Sequence, residues 1–145
     1  MMALAIHAGE RADLDALRSN GWELVDPAVV ARTPADYEAF VRGSKAEFGV
    51  AKSGYVKSQC GWFSDRSAAY LASGRPVIAQ DTGFGCTLPT GEGLFACRHI
   101  DDVLASIDAM NSDYRRQSQA ARDIAVEYLD STVVLSRLLA RIGAS

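Results

Sequence analysis

Apolar residues recur along this chain with two periods, and the switches between them predict its elements. Leu14 and Leu17, separated by polar residues, predict a short helix ending near Asn20-Gly21, where a glycine tolerates the left-handed backbone that closes helices. Trp22-Glu23-Leu24-Val25 alternates as a strand does, and Asp26-Pro27 breaks it. Thr33-Pro34-Ala35-Asp36 is a helix start: Thr33 caps free amides, Pro34 fits the first helical position and Asp36 complements the helix dipole. Tyr37, Phe40 and Val41 supply that helix's apolar stripe. Glu47 to Ala51 predicts a short buried strand and Lys52 to Phe63 a loop. Ser64-Asp65-Arg66-Ser67 opens a helix with Ala68, Ala69, Leu71 and Ala72 as its inner surface, and Ser73-Gly74-Arg75-Pro76 stops it. Val77-Ile78-Ala79 predicts a central strand, Asp81 to Gly85 a loop at its carboxyl end, Gly91-Glu92-Gly93 a turn and Leu94-Phe95-Ala96 another short strand. The remainder reads as three helices. The first is capped by Asp101 or Asp102 and carries Val103, Leu104, Ile107 and Met110. The second covers about residues 113–128. The third follows Asp130-Ser131, with Val134, Leu135, Leu138, Leu139 and Ile142 at helical spacing, a stripe that faces the core by default or else binds a partner.

Strands alternating with helices predict an α/β fold with a parallel sheet, and 145 residues suit one domain over positions 1–145. Ligands of such sheets bind beyond the carboxyl ends of the strands, which places Lys52–Phe63 and Asp81–Gly85 at the expected site. Hydrophobic residues at 48% and charged residues at 23% are ordinary for a globular chain. A net charge of −3 argues against nucleic acid as the partner, since phosphates need a basic face. No apolar run reaches the roughly 20 residues that span a bilayer, so no membrane partner is expected. The opening Met1 to His7 reads as a first strand or a frayed terminus rather than a leader. Cys60, Cys86 and Cys97 form no disulfide framework and are expected as reduced, buried small hydrophobes in a cytoplasmic protein. Cys97 with His99 falls short of a zinc site, so no metal and no cofactor is expected. Gly83-Phe84-Gly85 lacks the third glycine of a dinucleotide-binding turn.

The stretch richest in chemistry is Gln59-Cys60-Gly61-Trp62-Phe63-Ser64-Asp65-Arg66, followed by Gly74-Arg75-Pro76-Val77-Ile78. It is a glycine turn, a helix start and then a strand. A helix start offers unpaired amides and the positive end of a dipole, and so suits phosphate. Gly61 lets a ligand approach the backbone. Ser64 either caps the helix or donates its hydroxyl to a phosphate oxygen. Arg66 either neutralises a diphosphate or is a solvated surface side chain.

Gln59-Cys60-Gly61-Trp62-Phe63-Ser64 resembles the His-Cys-Gly-Trp-Asn-Ser opening of the donor-binding box of nucleotide-diphosphate-sugar glycosyltransferases. Gly74-Arg75-Pro76-Val77-Ile78 is similar to the Gly-x-Pro segment that ends the same helix. From about residue 20 to 143 the chain resembles the C-terminal domain of bacterial glycosyltransferases of the GT-B fold. The resemblance implies a Rossmann-like three-layer domain with C-terminal helices, half of a GT-B fold, and a nucleotide-diphosphate sugar as ligand. It implies donor and phosphate contacts at Gly61, Trp62, Ser64, Asp65 and Arg66, with Lys52 and Gln59 as further donors. It also implies sugar contacts at Asp81, Thr82 and Gly83, where Asp81 and Thr82 otherwise simply shape a turn. The pattern departs from the family at several points. Gln59 stands where the family has histidine and Phe63 where it has asparagine. The interval from Ser64 to Gly74 is two residues longer. The ribose-holding glutamate aligns with Ser67 or Ala69, leaving Asp65 as a nearby substitute. The acceptor pocket and base of the family come from an N-terminal domain, for which residues before about 20 leave no room; His7 has no role as a base beyond coincidence. No catalytic residue is therefore assigned. The expected partners are the nucleotide-diphosphate sugar and the missing N-terminal half or a second copy of the chain; the alternative is a non-catalytic interaction module that keeps the fold and forms a homo- or hetero-oligomer.

Overall fold

The computed structural model describes residues 2–5 and 11–143. His7 lies outside the described residues. The chain divides at Gly43/Ser44 into two compact units, so the 145 residues expected as one domain are described unit by unit.

In the first unit, β1 (Met2–Ala5) pairs in parallel with β2 (Trp22–Val25), and α1 (Arg11–Ser19) connects them. Gly21, at φ 80°, ends α1 where the sequence places its stop. Asp26 does more than break β2: its carboxylate accepts from the Ala28 amide and caps a short helix, α2 (Pro27–Val30). In α3 (Pro34–Gly43) the expected start is present in detail. The Asp36 amide donates to Thr33 Oγ1 at 3.1 Å, and the Thr33 hydroxyl donates back to the Asp36 carboxylate at 2.9 Å.

The second unit is a mixed α/β assembly around a small parallel sheet, β3 (Glu47–Gly49), β4 (Val77–Gln80) and β5 (Leu94–Cys97), in the order β3-β4-β5. The central place of β4 agrees with its unbroken apolar run. Val77 pairs with Leu94 and Ile78 with Phe95, so successive residues of one register feed opposite faces. Ile78, Phe95 and Cys97 meet Met110 of α6 (Ile100–Ser112) in one core cluster. Val77 and Leu94 are fully buried, each contributing about 1.5–3 kcal/mol. α5 (Asp65–Ala72) contacts β3 and β4, and α7 (Tyr114–Ile124) contacts α5. Gly93 shows how closely α7 approaches: a Cβ there would stand 2.3 Å from the Ala121 amide nitrogen. The Gly93 amide also donates to the buried Gln117 side chain at 2.7 Å.

Several expectations are corrected here. Lys52–Phe63 is not loop throughout, because Ser53–Ser58 forms a short helix, α4. β3 is not buried on both faces: Glu47 and Gly49 point inward while Phe48 is exposed. α5 buries Ser67, Tyr70 and Leu71, and Ala72 is exposed. Neither Asp101 nor Asp102 is the cap residue of α6. That place is His99, and Asp102 reaches back from the first turn to accept the Arg98 and His99 amides at 2.8 and 3.0 Å. Those two bonds hold the Asp102 carboxyl below its ordinary value. The second terminal helix ends at Ile124 and passes into a wider π turn over Ala125–Leu129. The stripe of α8 (Ser131–Arg141) is not core: Val134, Leu135, Leu138, Leu139 and the following Ile142 are 44–67% exposed. Cys60 and Cys86 are exposed; only Cys97 is buried, and burial pushes its thiol up. No helix among the described residues is long and apolar enough to cross a membrane.

Candidate functional site

Two loops leave the carboxyl edge of the sheet in the second unit, one before α5 and one after β4. They are bonded to each other. The Gly61 amide donates to the Thr82 carbonyl at 2.7 Å, and the Thr82 hydroxyl donates to the Trp62 carbonyl at 2.5 Å. Gly83, at φ 90°, presses on Gln59: a Cβ at Gly83 would lie 2.8 Å from the Gln59 carbonyl oxygen. The Gln59 side chain donates to the Val56 and Asp81 carbonyls at 2.9 and 3.3 Å. Thus Gln59, Gly61, Trp62, Thr82 and Gly83 form one platform, and their polar groups are largely spent in holding it together.

Two recesses flank the end of β4, and Gln80 borders both. The first, a shallow recess of about 20 Å³, lies between the ends of β3 and β4 and the start of α5, lined by Gly49, Trp62, Ser64 and Arg66 among others. Ser64 caps α5 by accepting the Arg66 amide at 3.2 Å, and Asp65 Oδ1 accepts the same amide at 2.8 Å. Both side chains therefore act first as helix caps. Arg66 bends back from α5 so that its Nε donates to Glu47 Oε1 at 2.5 Å. The Glu47 side chain is only 4% exposed and the Arg66 side chain 52%. Glu47 and Gly49 share a strand face, and a Cβ at Gly49 would meet Glu47 Oε1 at 3.5 Å and Arg66 Nη2 at 3.7 Å, both ordinary contact distances. Trp62 stacks on Tyr55 with centroids 4.9 Å apart and planes 14° apart, forming an aromatic wall at the rim.

The second recess is an open groove of about 470 Å³ lined by Val56, Gln59, Gln80, Asp81, Arg98 and His99. Asp81 is buried, and both its oxygens are used: one accepts the Gly83 amide at 2.8 Å, the other Arg98 Nε at 2.8 Å. The Gly83 amide, and then Arg98, hold the Asp81 carboxyl below the ordinary 3.8 although burial opposes this. Asp81 and Thr82 thus take the turn-shaping role that the sequence offered beside sugar contact.

The structure brings Gly61, Trp62, Ser64, Asp65 and Arg66 together with Asp81, Thr82, Gly83 and Gln59 at one sheet edge. Lys52 is exposed ahead of α4, makes no capping bond with its side chain and lines neither recess. Glu47, Gln80 and Arg98 were missed by the sequence reading. Glu47 carried a usable signal, a lone acid inside an apolar strand, which must find a partner if buried. Among the described residues, no three acidic, cysteine or histidine side chains gather as a metal site. Comparison of the chain with family models, curated proteins and solved structures found no match.

Proposed function

We propose that this chain is a glycosyltransferase-like domain that binds a nucleotide-diphosphate sugar, built as the Rossmann-like, three-layer half of a GT-B fold, and that it carries out no transfer alone. The observation supporting this most directly is the joined platform beside the start of α5, with Arg66 at its edge. In this reading the recess of about 20 Å³ seats one phosphate oxygen, and the diphosphate lies across its mouth against Arg66. The rest of the donor lies along the open groove past Gln80, whose volume of about 470 Å³ falls within the roughly 300–1,000 Å³ that drug-sized ligands fill. The positive end of α5 and the Arg66 guanidinium stabilise charge on the diphosphate as it leaves. Ser64 and Asp65 keep the helix start in shape, while acceptor and base come from outside residues 1–145. The test is an NMR titration with nucleotide-diphosphate sugars. Millimolar binding with shifts in the Gly61–Arg66 amides is expected, together with no transfer to acceptors. No shift there at millimolar ligand overturns the reading.

A second reading, a non-catalytic module that pairs with a second copy of itself, rests on α8. Its exposed apolar stripe has Asp130 at one end and Arg141 at the other. At about 100° per residue the two charges fall on the same flank of the stripe. A two-fold, antiparallel pairing brings like flanks together and sets each Asp130 near the other copy's Arg141. Light scattering should show a dimer that Leu138→Asp converts to monomer; a wild type that stays monomeric at high concentration excludes this pairing.

A further inference from the structure

We propose that Glu47 is a positioning residue for diphosphate binding at the start of α5: it anchors the Arg66 guanidinium from below and fixes the plane in which Arg66 meets a phosphate. The inference rests on the donor-binding reading and adds to it a residue outside both loops.

The Glu47 side chain is almost wholly withdrawn from water, yet only one of its oxygens is satisfied: Oε1 accepts from Arg66, and the buried Oε2 has no hydrogen-bond partner. A buried carboxylate in that state is a poor device for stability, since an apolar side chain of similar volume usually serves as well or better. What the carboxylate supplies and an apolar residue does not is direction. The guanidinium is a flat fork, and fixing its Nε fixes the plane of the whole group. Arg66 borders the recess with Ser64 and Gly49, so a fixed plane there presents a preset geometry to phosphate oxygens.

Charge and positioning predict opposite outcomes, which makes the inference testable. Judged by charge alone, Glu47 repels an anion, and its removal should tighten anion binding. As an anchor, its removal should weaken binding. The experiment titrates inorganic pyrophosphate into the wild-type chain and three variants by NMR, with circular dichroism to establish folding. Glu47→Met keeps volume and loses the acceptor. Glu47→Gln keeps an acceptor oxygen and loses the charge. Arg66→Lys keeps the charge and loses the plane. Glu47→Met and Arg66→Lys should each bind on the order of tenfold more weakly, while Glu47→Gln stays within about threefold of wild type. If Glu47→Met does not fold, the contrast between Arg66→Lys and Glu47→Gln carries the test. Wild-type or tighter binding by a folded Glu47→Met or by Arg66→Lys overturns the anchoring role and leaves the donor reading standing. Failure of the wild type itself to bind pyrophosphate overturns the anchoring role, and failure to bind nucleotide-diphosphate sugars as well overturns the donor reading.

Discussion

At the corner between β4 and β5, Asp81 is buried beneath Arg98; at the corner between β3 and α5, Glu47 is buried beneath Arg66. The geometry is the same in outline: an inward carboxylate with 8% or 4% of its side chain exposed, and an outward arginine at 72% or 52%. The two differ in how the acid is satisfied. Asp81 has a backbone amide on one oxygen and a guanidinium on the other, so its local turn would keep a partner even without Arg98. Glu47 has Arg66 on one oxygen and no hydrogen-bond partner on the other. The first pair is tied into the backbone that shapes a loop. In the second, the Glu47 carboxylate depends on the long-range bond from Arg66, 19 residues away in sequence, and Arg66 lies against a recess. A buried acid that shapes a turn and one that aims a cation are thus distinguished by their remaining bonds, not by burial or by the presence of an arginine.

The largest expected effect comes from breaking the first corner at its backbone. Gly83→Ala places a Cβ 2.8 Å from the Gln59 carbonyl in a residue at φ 90°. It should cost roughly 2–4 kcal/mol in urea denaturation. A loss below about 1 kcal/mol would show that the two loops are not locked together. Next is the exchange of partners. Arg66→Met leaves Glu47 buried and uncompensated, and should cost about 2 kcal/mol once the half-exposure of Arg66 is discounted. Arg98→Met should cost less by the same assay, because Asp81 retains the Gly83 amide. Equal losses would erase the distinction between the corners. Gly49→Ala meets its neighbours at ordinary contact distances of 3.5 and 3.7 Å. It should therefore change stability by no more than about 0.5 kcal/mol, which a thermal melt can check.

The smallest effect is that of pH. Because the folded Asp81 carboxyl titrates below 3.8, its contribution to stability is complete above that value and is lost as pH falls through the lower folded value. Urea midpoints of the wild type should decline along this acid limb, and Asp81→Asn should decline less steeply there. An Asp81→Asn curve parallel to wild type would remove Asp81 from the acid response.

The strands and most helix ends were legible because short-range rules set them: the capping pair of Thr33 and Asp36, the stop at Gly21, the apolar run of β4. What failed depended on distant partners. α4 was invisible because Ser53–Ser58 contains a glycine and no apolar stripe. The inward face of α5 is legible at Leu71, which is buried, but not at Ser67 and Tyr70, because alanines such as the exposed Ala72 resemble core by composition alone. The stripe of α8 was read as core from its spacing, and spacing says nothing of whether another surface is there to receive it. At the site, sequence order alone placed the two loops at the sheet edge. It could not show that Thr82 would turn inward to Trp62 or that Arg66 would turn back to Glu47, because both bonds join residues about 20 positions apart.

The exposed Cys60, next to Gly61 in the joined platform, gives the native protein a chemical reporter. A thiol-directed dye should mark it together with exposed Cys86 and spare Cys97, which is buried and whose thiol burial pushes up. Alkylation that slows as a ligand is added would reveal occupancy of that loop, residue by residue, by peptide mass alone and without a single substitution.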